Sequence, residues 1–338
     1  MGSHRRTAPS SGSERSTALA LGLLSAAATA LGAVPPATAA PQEDTRAEVD
    51  RLYREAEKAT EAYNAADERA DALRRDIADA QDGIARKQQR VNTMREALGS
   101  LAGSQYRSGG LDPTLSLLLS EDPEDYLRKA SVLDRLGVHQ TAELRKLRGT
   151  LRSLSQDRAE ASKRLGALER SREAAATHKR TVERKLAEAR RLLGSLPAGE
   201  RAAWDRASRS GRTDLLGPAG APASGRAAAA VAAARSALGR PYVWGANGPS
   251  GFDCSGLTQW AYAQAGVALP RTSQAQRDAG RQVPLSEARP GDLVLYRSDA
   301  SHVAMYMGNG QVIHAPYPGA PVRYDPVGMM PVSSVTRV

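Results

Sequence analysis

The sequence holds a single cysteine, Cys254, in 338 residues, so no internal disulfide can form. It has no CxxC and no paired Cys/His spacing, and the spacing therefore predicts no metal site and no structural zinc; no cofactor motif is present either. No proline lies between Pro41 and Pro113, which leaves that stretch free to run as one helix. No charged residue occurs from Ser16 to Ala40. That stretch follows Arg5 and Arg6 and ends in Pro-Pro-Ala-Thr-Ala-Ala, with an Ala-x-Ala step at Ala37–Ala39. A charged, then apolar, then small-residue order predicts a signal peptide over 1–40, cleaved near Ala39, and hence a secreted, cell-wall location. A retained membrane anchor is the competing reading, but so much Ala, Gly, Ser and Thr makes a weak one. The paired arginines raise a twin-arginine export route that nothing after them supports.

The formal charge of +10 and pI of about 9.9 suit anionic partners, among them wall polymers, lipid head groups and nucleic acid. Export argues against nucleic acid, and it makes a lone thiol informative: either a free reactive group or an intermolecular bridge.

From Val49 the apolar residues recur at alternating steps of three and four: Leu52, Ala56, Ala59, Tyr63, Ala66, Ala70, Leu73, Ile77, and on to Leu101. This heptad predicts a helix over about 46–101. Breaks follow at Ser108-Gly109-Gly110, Asp112-Pro113 and Pro123. A second run then continues from Ala130 through Leu144, Leu154, Leu168 and Leu186 to Leu196. Arg158, Arg172 and Lys179 fall on its seam, so the seam is expected to weaken toward the carboxyl end. Two such helices with a reversing segment predict an antiparallel coiled-coil hairpin over 41–196; a parallel homodimer is the alternative. The apolar patch at 111–120 is either a cap on the hairpin or a docking site for another exported or membrane-embedded protein.

Gly and Pro enrich 197–226, predicting a flexible linker interrupted by a short helix near Trp204. An Ala-rich helix is expected from Ala227 to about Leu238, opening a compact domain over 227–338. Within it, Pro241-Tyr-Val-Trp-Gly leads into Phe252-Asp-Cys-Ser-Gly256. Leu257, Trp260, Ala261 and Ala265 then repeat at helical spacing, predicting a helix that starts at about Asp253. Asp253 can cap it, and Cys254 falls in the first turn, where the helix dipole favours a thiolate. Downstream, Leu293-Val-Leu-Tyr reads as a short buried strand, and Ser301–Met307 with Gln311–Ala315 as a hairpin about Gly308-Asn-Gly310. A Cys on a helix followed by antiparallel strands carrying His302 and His314 describes an α+β domain. A two-residue loop would turn the two histidines to opposite faces, and a three-residue loop to the same face. The reading favours three residues. His302 is then the base for Cys254, His314 orients it, the Cys254 N–H holds an oxyanion, and Tyr242 is a second candidate donor.

These motifs, with Leu269-Pro-Arg-Thr-Ser273, Arg289-Pro-Gly-Asp-Leu293 and Ile313-His314-Ala, resemble the NlpC/p60 family of bacterial cell-wall cysteine peptidases. The resemblance implies a papain-like α+β fold with Cys254, His302 and His314 as the catalytic set. It places Tyr242, Asp253, Ser255 and Arg271 along a substrate groove. It implies peptidoglycan stem peptides as substrate, cut between γ-linked D-glutamate and a diamino acid. The arm is more loosely similar to the amino-terminal regions of actinobacterial members and division-associated hydrolases, through Tyr106-Arg-Ser-Gly-Gly and Leu117-Leu-Leu-Ser-Glu-Asp-Pro. In such proteins the arm can engage an FtsE–FtsX type membrane complex and can hold the cleft shut. No SH3-like or LysM wall-binding module is recognisable. Two other readings stay open: a non-catalytic coiled-coil adaptor of other hydrolases, and an amidase or acyl transferase on the same fold.

Overall fold

The computed structural model describes residues 40–107, 123–209 and 221–338. The expected signal peptide, except for Ala40, and the apolar tip at 111–120 lie outside these residues. Helix α1 spans Ala40–Arg107 and α2 spans Pro123–Ser195, each roughly 100 Å long at ~1.5 Å per residue. Proline can open α2 because the first helical position needs no N–H partner, and Pro197 closes it.

The two helices pack antiparallel. Lys185 meets Glu55 at 2.5 Å, the Ser171 hydroxyl donates to the Ala66 carbonyl at 2.8 Å, and Lys87 meets Asp157 at 2.5 Å. Residue numbers thus rise along one helix as they fall along the other. Val49, Leu52 and Ala56 of α1 pack against Val182, Leu186 and Ala189 of α2. The expected weakening of the seam is reversed. Val182, Leu186 and Ala189 at the carboxyl end of α2 are buried, whereas Leu133 and Leu147 toward the far end are half-buried and Leu144 is exposed. The cause is tertiary: the α2 carboxyl end lies beside the globular domain and the far end does not.

Helix α3, Ala198–Arg209, lies within the expected linker and is docked, with Trp204 beside Tyr53 of α1 and Tyr317 of the domain. Helix α4, Gly225–Ser236, begins two residues earlier than expected because the Ser224 hydroxyl accepts from the Ala227 N–H and caps it. Helix α5 is Cys254–Gln264 and α6 is Ser273–Arg277. Six antiparallel strands complete the domain: β1 (Arg281–Val283), β2 (Leu293–Tyr296), β3 (His302–Gly308), β4 (Gln311–His314), β5 (Arg323–Pro326) and β6 (Val332–Arg337). Their order is β1-β6-β2-β3-β4-β5. Helices α4 and α5 cover one face, burying Ala230, Ala234, Leu257 and Tyr262 against Leu293, Val303, Met305 and Ile313.

The β3–β4 turn has two residues rather than the expected three, because Gly308 pairs with Gln311. A bulge between Tyr306 and Gly308 restores the lost residue, so Met305 faces Ile313. Continuing that register sets His314 beside Ala304, on the same face as His302. Asn309 and Gly310 both take left-handed conformations, as this kind of tight turn requires.

Candidate active site

Asp253 caps α5 as expected, its carboxylate accepting from the Gly256 N–H at 2.7 Å, and Cys254 opens the helix. The helix sits tightly on the preceding loop: the Asp253 N–H donates to the Ala246 carbonyl at 2.9 Å. A Cβ on Gly256 would meet that same oxygen at 2.2 Å, so only glycine fits there. His302 begins β3 and His314 ends β4, which brings both to one end of the hairpin. The His302 Nε2 and His314 Nδ1 atoms are 2.8 Å apart, and the far side of His314 meets Asp325 at 2.8 Å. Arg323 in turn holds Asp325 at 2.8 Å. The structure therefore joins all three expected catalytic residues. It adds Asp325, on a terminal strand with no motif around it.

The opening of this site is filled by α1. Glu57 bonds His302 Nδ1 on one carboxylate oxygen and Arg297 on the other. The Cys254 sulfur, a His302 ring nitrogen and a Glu57 oxygen all lie within 4.8 Å of one another. One turn along, Glu61 accepts from the Ser255 hydroxyl at 2.7 Å and the Ser273 N–H at 2.8 Å, and lies 3.6 Å from the sulfur. Asn64 donates to Asp253 at 3.1 Å. Spacings of four and three put all three side chains on one helix face. Rings fasten the flanks: Tyr53 stacks on Tyr317 at 5.0 Å, and Tyr63 meets Trp244 edge-on at 5.3 Å.

Of the expected groove residues, Asp253 and Ser255 are engaged by the arm, and Arg271 clamps Asp253 at 2.6 and 3.0 Å. Tyr242 is buried near Cys254, and burial pushes its hydroxyl up.

The thiolate expected from the helix dipole is not what the closed site favours. Burial pushes the Cys254 thiol well up, and Glu61, Glu57 and Asp253 add to it; the Val303 N–H opposes them. Desolvation and three nearby carboxylates outweigh one helix terminus. Burial also raises the Glu57 carboxyl, but His302 and Arg297 outweigh it, so Glu57 stays below the usual range. Glu61 has no such cation in contact, and burial with Asp253 pushes it up to about 7.

Residues 239–335 match the NlpC/P60 family model. A probable endopeptidase of Corynebacterium glutamicum is 49% identical over 117 residues, 35% of this chain and 56% of that one. That segment belongs to the NlpC/P60 family. A probable endopeptidase of Mycobacterium tuberculosis is 49% identical over 105 residues, 31% of this chain and 27% of its own length. The chain thus spans about half of the first relative and a quarter of the second. Among solved structures, the P60 domain of an antigen from M. avium subspecies paratuberculosis is 37% identical. The match covers 33% of this chain and 93% of that one, with a TM-score of 0.32. The NlpC/p60 domain of the peptidoglycan hydrolase SagA is 40% identical, covering 33% and 98%, with a TM-score of 0.32.

In this NlpC/P60 domain His314 is buried, and burial lowers its imidazole to about 4 against the Asp325 bond that raises it. A depressed histidine contributes stability that is complete above its unfolded value and is lost as pH falls toward the folded one. Between about pH 7 and about pH 5, His314 is expected to withdraw about 2 kcal/mol from folding. Urea midpoints at the two pH values check this, and a His314→Gln variant should lose less over the same interval.

Proposed function

We propose that this chain is a secreted peptidoglycan endopeptidase whose nucleophile is Cys254 and whose cleft is closed by its own arm. One observation carries the reading: a sulfur at a helix start, within 4.8 Å of an imidazole that is relayed through His314 to Asp325. The family of the domain and its endopeptidase relatives support it. His302 takes the Cys254 proton, and the thiolate attacks the peptide carbonyl. The Cys254 N–H, heading α5, faces the developing oxyanion. His302 returns the proton to the leaving amine, and a water that it deprotonates hydrolyses the thioester. His314, oriented by Asp325, keeps the His302 ring in place.

The bond proposed is that between γ-linked D-glutamate and the diamino acid of the stem peptide, on the family resemblance. Digesting defined muropeptides with the Glu57→Ala chain and weighing the fragments tests it; products cut at any other bond reject the assignment. Engagement of an FtsE–FtsX type membrane complex at the tip belongs to the same proposal and rests on resemblance alone.

Closure by the arm has two physical supports. Glu57 and Glu61 occupy the ground where a substrate carbonyl must approach the sulfur. Burial beneath them, and then their charge, also holds the thiol protonated. Closure should therefore depend on pH. Glu61 faces Asp253, Arg271, Cys254, Ser255 and Ser273, and in water its carboxyl returns to 4.5 from about 7. The closed form thus binds the extra proton across that window and is favoured on its acid side. Raising pH from about 5 to about 7.5 is expected to favour release by roughly tenfold or more. Full-chain turnover at the two values checks this against Glu61→Gln, in which the Glu61 contribution to the rise disappears.

A further inference from the structure

We propose that the closed cleft is a zinc site, in which Zn2+ bound by Cys254, His302 and Glu57 locks the arm onto the domain. The proposal deepens the closure reading, since one ligand comes from α1 and two come from the domain. All three groups are buried, and their donor atoms lie within 4.8 Å of one another. Ligand atoms on tetrahedral zinc stand about 3.2–3.8 Å apart, a spacing close to that of these three donors. Three protein ligands leave the fourth position of a tetrahedral zinc to water; Glu61, 3.6 Å from the sulfur, bonds Ser255 and Ser273 instead.

The donor set selects the metal. Thiolate, imidazole and carboxylate together suit zinc, whereas calcium and magnesium take oxygen alone. The surroundings are those that metal ligands require. His302 Nε2 meets His314 Nδ1 at 2.8 Å, and His314 is held by Asp325, which orients the ring so that Nδ1 faces the metal position. Arg297 holds the second oxygen of Glu57. The sulfur also sits among the carboxylates of Glu61, Glu57 and Asp253, whose negative charge favours a cation there. Proton balance is simple: the thiol proton and the proton shared by His302 Nδ1 and Glu57 leave to solvent as the metal enters.

The consequence is linkage. A metal that needs Glu57 binds only the closed form, so at about a hundredfold excess over its Kd it shifts the closed-to-open ratio by about a hundredfold. Zinc thereby becomes a second inhibitor acting through the arm.

Cobalt titration of the full chain tests this, because a Co2+–thiolate bond absorbs in the near ultraviolet and tetrahedral Co2+ in the visible. The expected result is one equivalent bound, with both bands displaced by Zn2+. Glu57→Gln, with its helical circular dichroism intact, should bind at least about tenfold more weakly. Glu57→His, which replaces one zinc ligand by another, should recover the bands. Absence of the thiolate band in the unaltered chain overturns the proposal. Equal affinity in Glu57→Gln overturns the bridge and leaves a metal held by the domain alone. Neither readout depends on hydrolysis, so failure here is separable from failure of the peptidase reading, which turnover reports.

Discussion

Glu57→Ala is expected to raise turnover of the full chain on peptidoglycan by about 10- to 100-fold. Glu57 is buried in the closed cleft and bonded at once to His302 and Arg297. Removing one member of a buried, hydrogen-bonded charge pair costs about 3 kcal/mol, or roughly two powers of ten in the closing equilibrium. The rings that clamp the flanks and the bonds of Glu61 remain, so release is favoured without being forced. A control lies one residue away. Lys58 also joins arm to domain, through Asp299 at 3.3 Å, but that pair is exposed. Exposed pairs contribute about 0–1 kcal/mol, so Lys58→Ala should change turnover by less than about fivefold. Alkylation of Cys254 by iodoacetamide gives a second readout that needs no substrate, and it should quicken in step with turnover. If the thiol of the Glu57→Ala chain reacts no faster than before, the arm is not the gate.

Cys254→Ala carries the opposite and larger effect, a loss of turnover of at least about a thousandfold in the Glu57→Ala background. The substitution removes the sulfur and little else. The cap at Asp253, the clamp from Arg271 and the Ser255–Glu61 bond do not involve it. Thermal stability should therefore stay close to that of the parent, which separates lost chemistry from lost fold. His302→Ala should match the loss, and the double variant should be no worse than either single one, as for residues that act as a unit. A chain serving only as an adaptor of other hydrolases would instead keep its function in Cys254→Ala.

Much of this site was legible before any coordinate. The turn-rich approach, the Asp253 cap and the helical repeat after Cys254 specify a sulfur at a helix start by local rules alone. The pairing of His302 with His314 was also legible, though for a partly mistaken reason. Same-face placement needed an odd residue, and that residue is a bulge in β3, not a third loop position. Asp325 was not legible, because an acid on a short terminal strand looks like any other exposed turn residue. The zinc donors were invisible to motif spacing for a related cause: Glu57 and His302 stand 245 residues apart.

Periodicity and turn chemistry alone determined the two arm helices, the Cys-bearing helix and the histidine hairpin, since each depends on contacts a few residues apart. Tertiary structure alone decided what covers the sulfur. Glu57, Glu61 and Asn64 form a polar stripe beside the apolar seam of α1, and such a stripe has the same sequence signature whether it faces water or a cleft. Only docking distinguishes the two, and it reverses the chemistry of the helix start: burial, joined by carboxylates brought in from nearly two hundred residues away, outweighs the dipole and holds Cys254 as a thiol.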